Sequence, residues 1–139
     1  MGFVRADIEI ANSGDMTLAR RGYIEKDKIR RKEINLLIDT GAYNLSINEN
    51  LAAQVGLAII DKQSFELADG EIKVFDIAEP VELRFKNRMT TCNPIILPGE
   101  TEMLLGSIPL EDMDVIIDSR RETLDLPPDR PYLAKKKLK

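Results

Sequence analysis

Turn signals recur along this chain so regularly that they leave room only for short elements. Asn12-Ser13-Gly14-Asp15, Glu25-Lys26-Asp27-Lys28, Asp39-Thr40-Gly41, Asp69-Gly70, Lys86-Asn87-Arg88, Pro98-Gly99-Glu100 and Ser119-Arg120-Arg121 punctuate its 139 residues. Between them the apolar residues follow the period of strands. Val4, Ala6, Ile8 and Ile10 alternate with Arg5, Asp7 and Glu9, which predicts a half-buried strand from Phe3 to Ile10. Met16 to Ile24 reads as a second strand, and the run Leu36-Leu37-Ile38 as the end of a third that stops at Asp39. Asn44 to Ile47 makes a short extension. Ser64 to Ala68 and Glu71 to Ile77 flank Asp69-Gly70, a strong hairpin signal. Val81 to Phe85 with Met89 to Leu97, and Asp114 to Asp118 with Thr123 to Leu126, supply the remaining strands. A helix is predicted over Glu49 to Val55, with Asn48 as N-cap and Gly56 as the glycine past its end. One further helical turn contains Pro109 to Asp112, capped by Ser107. The pattern predicts an all-β, barrel-like single domain with one or two short helices.

Size and charge narrow the chemistry. A chain of this length holds one core, and 43% hydrophobic with 32% charged residues is a globular balance. Residues 1–126 read as the domain and 127–139 as a basic, loosely ordered tail with solvated lysines. The net charge of −4 divides unevenly, because residues 130–139 carry five Lys/Arg and no acid, leaving 15 Lys/Arg against 24 Asp/Glu in the remainder. An acidic body argues against nucleic-acid binding. No apolar run approaches a bilayer span, and Met1-Gly2-Phe3-Val4-Arg5-Ala6 lacks the features of a signal peptide or myristoylation site, so a cytoplasmic location is the expectation. There is no histidine, which removes Ser-His-Asp and Cys-His centres and the commonest zinc ligand. The single cysteine, Cys92, reads as a buried, inert thiol in a strand. No metal or cofactor is called for. Carboxylates remain the available reactive groups.

Among them Asp39 stands out, because an apolar run delivers it to a sharp Asp-Thr-Gly end where a strand would hold it on a rigid element. An ordinary strand-ending turn has the same composition. A second feature, Leu104-Leu105-Gly106 before a short helix, lies far along the chain with the Asp69-Gly70 hairpin between.

Together, Asp39-Thr40-Gly41-Ala42 and the late Leu104-Leu105-Gly106 resemble the retropepsin-like (clan AA) aspartic proteases. Leu36 to Leu57, Leu67-Ala68-Asp69-Gly70 and Leu104 through Asp118 look like the small stand-alone prokaryotic members. The resemblance implies a closed, single-lobed acid-protease β-barrel and an aspartic endopeptidase that acts as a homodimer on a peptide or unfolded protein. Asp39 from each subunit would activate a water. Thr40 would reach the partner's backbone, Gly41 and Ala42 would fit a crowded turn, and Leu104, Leu105 and Gly106 would support it from beneath. Ala68, Asp69 and Gly70 would form the tip of a flap, and Thr123 to Leu126 a terminal strand in the dimer. The flap tip departs from the glycine-rich, apolar retroviral type. A non-catalytic dimeric binding module with the same fold is the alternative, and a monomeric β-barrel scaffold a further one.

Overall fold

In a computed structural model, which describes residues 3–139, the alternation at the start becomes strand β1, Arg5–Asn12. Ala6, Ile8 and Ile10 face the core, and the strand is paired on both sides. Ile8 lies opposite Ile34 of β2, Arg31–Ile38, and Ile10 opposite Leu83 of β6, Val81–Phe85. Such aliphatic side chains contribute roughly 1.5–3 kcal/mol each when fully buried.

The remaining strands are β3 (Leu45–Asn48), β4 (Ile59–Glu66), β5 (Ile72–Ala78), β7 (Arg88–Cys92), β8 (Ile95–Leu97), β9 (Leu104–Leu105), β10 (Ile116–Asp118) and β11 (Thr123–Asp125). Of the eleven strands among the described residues, nine form one sheet in the order β4-β5-β8-β3-β9-β2-β1-β6-β7, while β10 and β11 pair there only with each other. The large sheet curls into a half-barrel with β4 and β7 at its ends, the all-β architecture expected. The expected strand from Met89 to Leu97 divides at Asn93-Pro94: β7 stays with β6, and β8 crosses to lie between β3 and β5. Proline cannot donate to a ladder, so the break falls where it must.

Among the described residues there are three α-helices rather than one or two: α1 (Ser13–Arg20), α2 (Glu49–Gln54) and α3 (Ser107–Met113). The first replaces the strand expected over Met16 to Ile24. Asn12, read as part of a turn, is its N-cap, accepting the Asp15 N–H at 3.0 Å. Asp15 is held in turn by Arg30 through Nε at 2.8 Å and Nη2 at 3.0 Å. At the other end Gly22 adopts φ +79°, and the N–H groups of Gly22 and Tyr23 bond back to the carbonyls of Ala19 and Leu18, a Schellman closure. The α2 helix ends the same way at Gly56, and its N-cap Asn48 accepts the Leu51 N–H at 2.9 Å, as expected. Among the described residues, no helix is long and apolar enough to cross a membrane.

Candidate active site

The sheet order creates the site. Strand β9 is inserted between β2 and β3, the two strands that flank the Asp39 turn. It runs parallel to β2, with Leu37 opposite Leu104 and Ile38 opposite Leu105, and antiparallel to β3. The Asp39 N–H therefore donates to the Leu105 carbonyl at 3.0 Å. Leu105 is fully buried beneath the turn.

Helix α3 locks the other half of the loop. The first N–H groups of a helix have no partner within it. Here those of Ser107 and Ile108 donate to the carbonyls of Ala42 at 2.8 Å and Tyr43 at 2.9 Å, and Gly106 N–H donates to the Asn44 carbonyl at 3.0 Å. The N-cap is Gly106, and no side chain caps the helix; Ser107, expected as the cap, is its first residue. Backbone carbonyls of the turn have taken over that role. Gly106 has φ −92°, open to any residue, so its reason is space: a Cβ there would lie 2.6 Å from the Tyr43 carbonyl carbon and 2.7 Å from Ala42 O.

Within the turn, Asp39 Oδ1 accepts the Gly41 N–H at 2.9 Å, which fixes the carboxylate, and Ala42 N–H bonds to the Asp39 carbonyl at 3.1 Å. A Cβ on Gly41 would lie 3.2 Å from that same Oδ1. Asp39 is half-buried, whereas Thr40 is exposed. The structure thus brings Asp39, Thr40, Gly41, Ala42, Leu104, Leu105 and Gly106 into one unit.

Two clefts meet at this unit. One, of about 610 Å³, is lined by Asp39 and Thr40 with Phe3, Val4, Leu37 and Ile117. The other, of about 380 Å³, lies between the turn and the β4–β5 hairpin, with Gly41, Ala42 and Tyr43 on one side and Phe65, Leu67 and Phe75 on the other. The rings of Phe65 and Phe75 are 5.9 Å apart and tilted by 49°. Ala68, Asp69 and Gly70 are exposed at the hairpin tip and are not among the cleft's walls. Phe65, Phe75 and Tyr43 add to the residues expected from sequence, and Leu67, quoted there only beside the hairpin tip, joins them on the cleft wall. Their signal was the alternation of Phe65 with Leu67 on one hairpin face, which gains meaning only when that face is seen opposite the Asp39 turn.

Cys92 ends β7 partly buried, and burial, reinforced by the Asp112 charge, pushes its thiol up to about 12. A thiol so weakly acidic is a poor nucleophile. Among the described residues, no group of three or more His, Cys, Asp or Glu is placed to hold a metal ion.

Comparison with known proteins follows the same outline. The sequence profile of the family described as "gag-polyprotein putative aspartyl protease" matches residues 26–112, which include both the Asp39 turn and Gly106. The retroviral protease-like domain of Ddi1 from Leishmania major is similar in fold, with a TM-score of 0.52 and 11% sequence identity over 90% of each chain. No curated protein matches the chain. With the profile covering more than half of its length and the site's two distant segments inside it, the chain belongs to the gag-polyprotein aspartyl protease family.

Proposed function

We propose that this protein is an aspartic endopeptidase that works as a homodimer, with one Asp39 from each subunit at a shared centre. The observation that carries the reading is the Asp39 turn itself: a half-buried carboxylate held at a strand end by backbone bonds on both flanks, with clefts on either side. The chain has a single Asp-Thr-Gly, so a pair requires a second copy and a two-fold axis through the site. The surface around Thr40 supports one, since Phe3, 76% exposed, and Ile117, more than a third exposed, line the same cleft as Thr40.

Two carboxyl groups at about 3 Å cannot both ionise cheaply, as aspartic proteases in general illustrate, and they share one proton. The ionised Asp39 takes a proton from a water held between the pair, and the water oxygen attacks the scissile carbonyl carbon. The protonated Asp39 gives its proton to the carbonyl oxygen. On collapse one hydroxyl of the tetrahedral intermediate returns its proton to the Asp39 that had given one up, the C–N bond breaks, and the amine nitrogen leaves with the proton first taken from water, so the pair again shares one proton. Thr40 ties the two turns together across the axis. Gly41 and Ala42 leave room for the extended peptide, and Phe65 and Leu67 cover it from the hairpin whose tip is Ala68-Asp69-Gly70.

Incubating the purified dimer with an unfolded protein between pH 4 and 7 tests this. Cleavage that disappears in Asp39→Asn supports it. A confirmed dimer that binds peptides without cutting them is instead a non-catalytic module. A particle mass near 15.7 kDa at every concentration leaves a monomeric scaffold.

A further inference from the structure

The segment beyond Pro127 is tied to the domain by a charged cluster that plays no part in the chemistry above. Arg88, at the start of β7, is fully buried. Its Nε donates to the Asp114 carbonyl at 3.0 Å and its Nη2 to the Arg130 carbonyl at 2.6 Å. Arg130 in turn grips the Asp114 carboxylate with two prongs, Nε to Oδ2 at 2.7 Å and Nη2 to Oδ1 at 2.9 Å. The backbone N–H of Lys135 adds a bond of 2.9 Å to the same Oδ2. Nearby, Lys136 Nζ reaches Asp112 at 2.9 Å, and Asn87 holds the carbonyl of Pro131 at 2.7 Å. A segment expected to be loosely ordered is thus anchored over most of its length. Bidentate arginine–carboxylate pairs of this kind carry geometric specificity as well as attraction.

What the cluster holds is more telling than how. Asp114 closes α3 in the left-handed region, at φ +56° and ψ +61°, which aspartate tolerates better than most residues. The chain then passes directly into Val115 and β10. Val115 and Ile117 line a cavity of about 300 Å³ with Thr40, and Ile117 also faces the cleft that contains Asp39. Among the described residues the β10–β11 hairpin has no ladder to the large sheet; Leu124 packs it on the core, and a two-stranded ribbon without further ladder bonds needs such ties to hold its shape. The Arg130–Asp114 pair closes the base of that ribbon, since the chain enters it at Asp114 and returns to the same carboxylate 16 residues later.

We infer that Arg88, Asp114 and Arg130 are positioning residues, through which the C-terminal segment fixes the β10–β11 hairpin as the wall beside Asp39 and Thr40 on which a second subunit docks. The docking part rests on the dimer proposed above. None of the three touches a reacting atom, so their loss acts on assembly and leaves the chemistry of an assembled dimer intact.

Hydrogen exchange and sedimentation on full-length Arg130→Ala, Asp114→Asn and Arg130→Lys proteins test this. In the first two, the amides of Ile116–Asp118 and Thr123–Asp125 exchange about tenfold faster or more, while those of β1 and β2 are unchanged. The dimer dissociation constant rises by a similar factor, cleavage becomes correspondingly dependent on enzyme concentration, and kcat at saturating enzyme stays at the parent value. Arg130→Lys, which keeps the charge without the two-pronged geometry, recovers part of each change. Hairpin amides that exchange at the parent rate in both Arg130→Ala and Asp114→Asn overturn the inference. So does a hairpin that loosens with no change in dimer affinity. A parent that is monomeric at every concentration removes the dimer reading itself, and with it the docking role.

Discussion

Asp39 and Asp69 begin two turns of the same local design with very different surroundings. In each, the aspartate Oδ1 accepts a backbone N–H two residues on, at 2.9 Å, from Gly41 in one case and Glu71 in the other. Around Asp69 the other backbone bonds are internal to the hairpin, Gly70 N–H to Leu67 O at 2.8 Å and Leu67 N–H to Glu71 O at 2.7 Å. Around Asp39 one is internal, Ala42 N–H to the Asp39 carbonyl at 3.1 Å, and the others come from elsewhere: Leu105 on one flank, Ser107 and Ile108 on the other. The turn alone makes a surface loop. A strand from late in the chain, slotted between the turn's own two strands, makes a fixed carboxylate.

The contrast can be broken from several directions. The largest effect belongs to Asp39→Asn, which keeps the turn's acceptor but removes the ionisable pair; cleavage is expected to fall about 10³-fold or more, with a melting temperature close to the parent's. Gly106→Ala attacks the lock instead. Backbone atoms 2.6–2.7 Å away cannot yield cheaply, and a loss of about 3 kcal/mol, or roughly 10 °C in melting temperature, is expected in calorimetry. Gly41→Ala meets a carboxylate oxygen at 3.2 Å that can move, so stability changes little while kcat drops about tenfold as Asp39 is displaced. Gly70→Ala sharpens the comparison from the other side: there is open space around it, and only its φ of +86° resists, for about 1 kcal/mol.

Acid should weaken both the C-terminal anchor at Asp114 and the Arg30 clamp on Asp15. Arg130 beside Asp114, and Arg30 beside Asp15, hold those carboxyls below the usual carboxylate range. A folded-state pKa that is depressed contributes stability above the unfolded value of about 4 and loses it as pH falls through the folded value. Melting temperature is therefore expected to decline from about pH 5 downward, and the slope to flatten in Arg130→Ala because Asp114 then titrates closer to its unfolded value. An unchanged slope would remove the ion pair from the account.

Sequence and structure agree most where the information is local. Alternation marked β1, the strand into Asp39 was an uninterrupted apolar run, and Asn48 with Gly56 bracketed α2 correctly. Asn12-Ser13-Gly14-Asp15 was ambiguous for a physical reason: the side-chain acceptor that makes a turn also makes an N-cap, and what decides between them is Arg30, which clamps Asp15 from outside the segment. The role of Leu104-Leu105 was legible only by resemblance, since nothing in two leucines says which strands they separate. The anchoring of the C-terminal segment left no local trace at all. A lysine-rich end reads as solvated, and its partners Arg88 and Asp114 lie in a β-turn region and a helix end remote in sequence.

The central claim is that no single chain contains a complete active site, and mixing subunits tests it most directly. Wild-type and Asp39→Asn chains are combined in varying proportion at constant total concentration, allowed to exchange, and assayed for cleavage. A shared centre makes every mixed dimer inactive, so activity follows the square of the wild-type fraction and stands at about a quarter when half the chains are mutant. Activity that falls in simple proportion, to about half at the same point, would mean that each chain works alone and contradict the account.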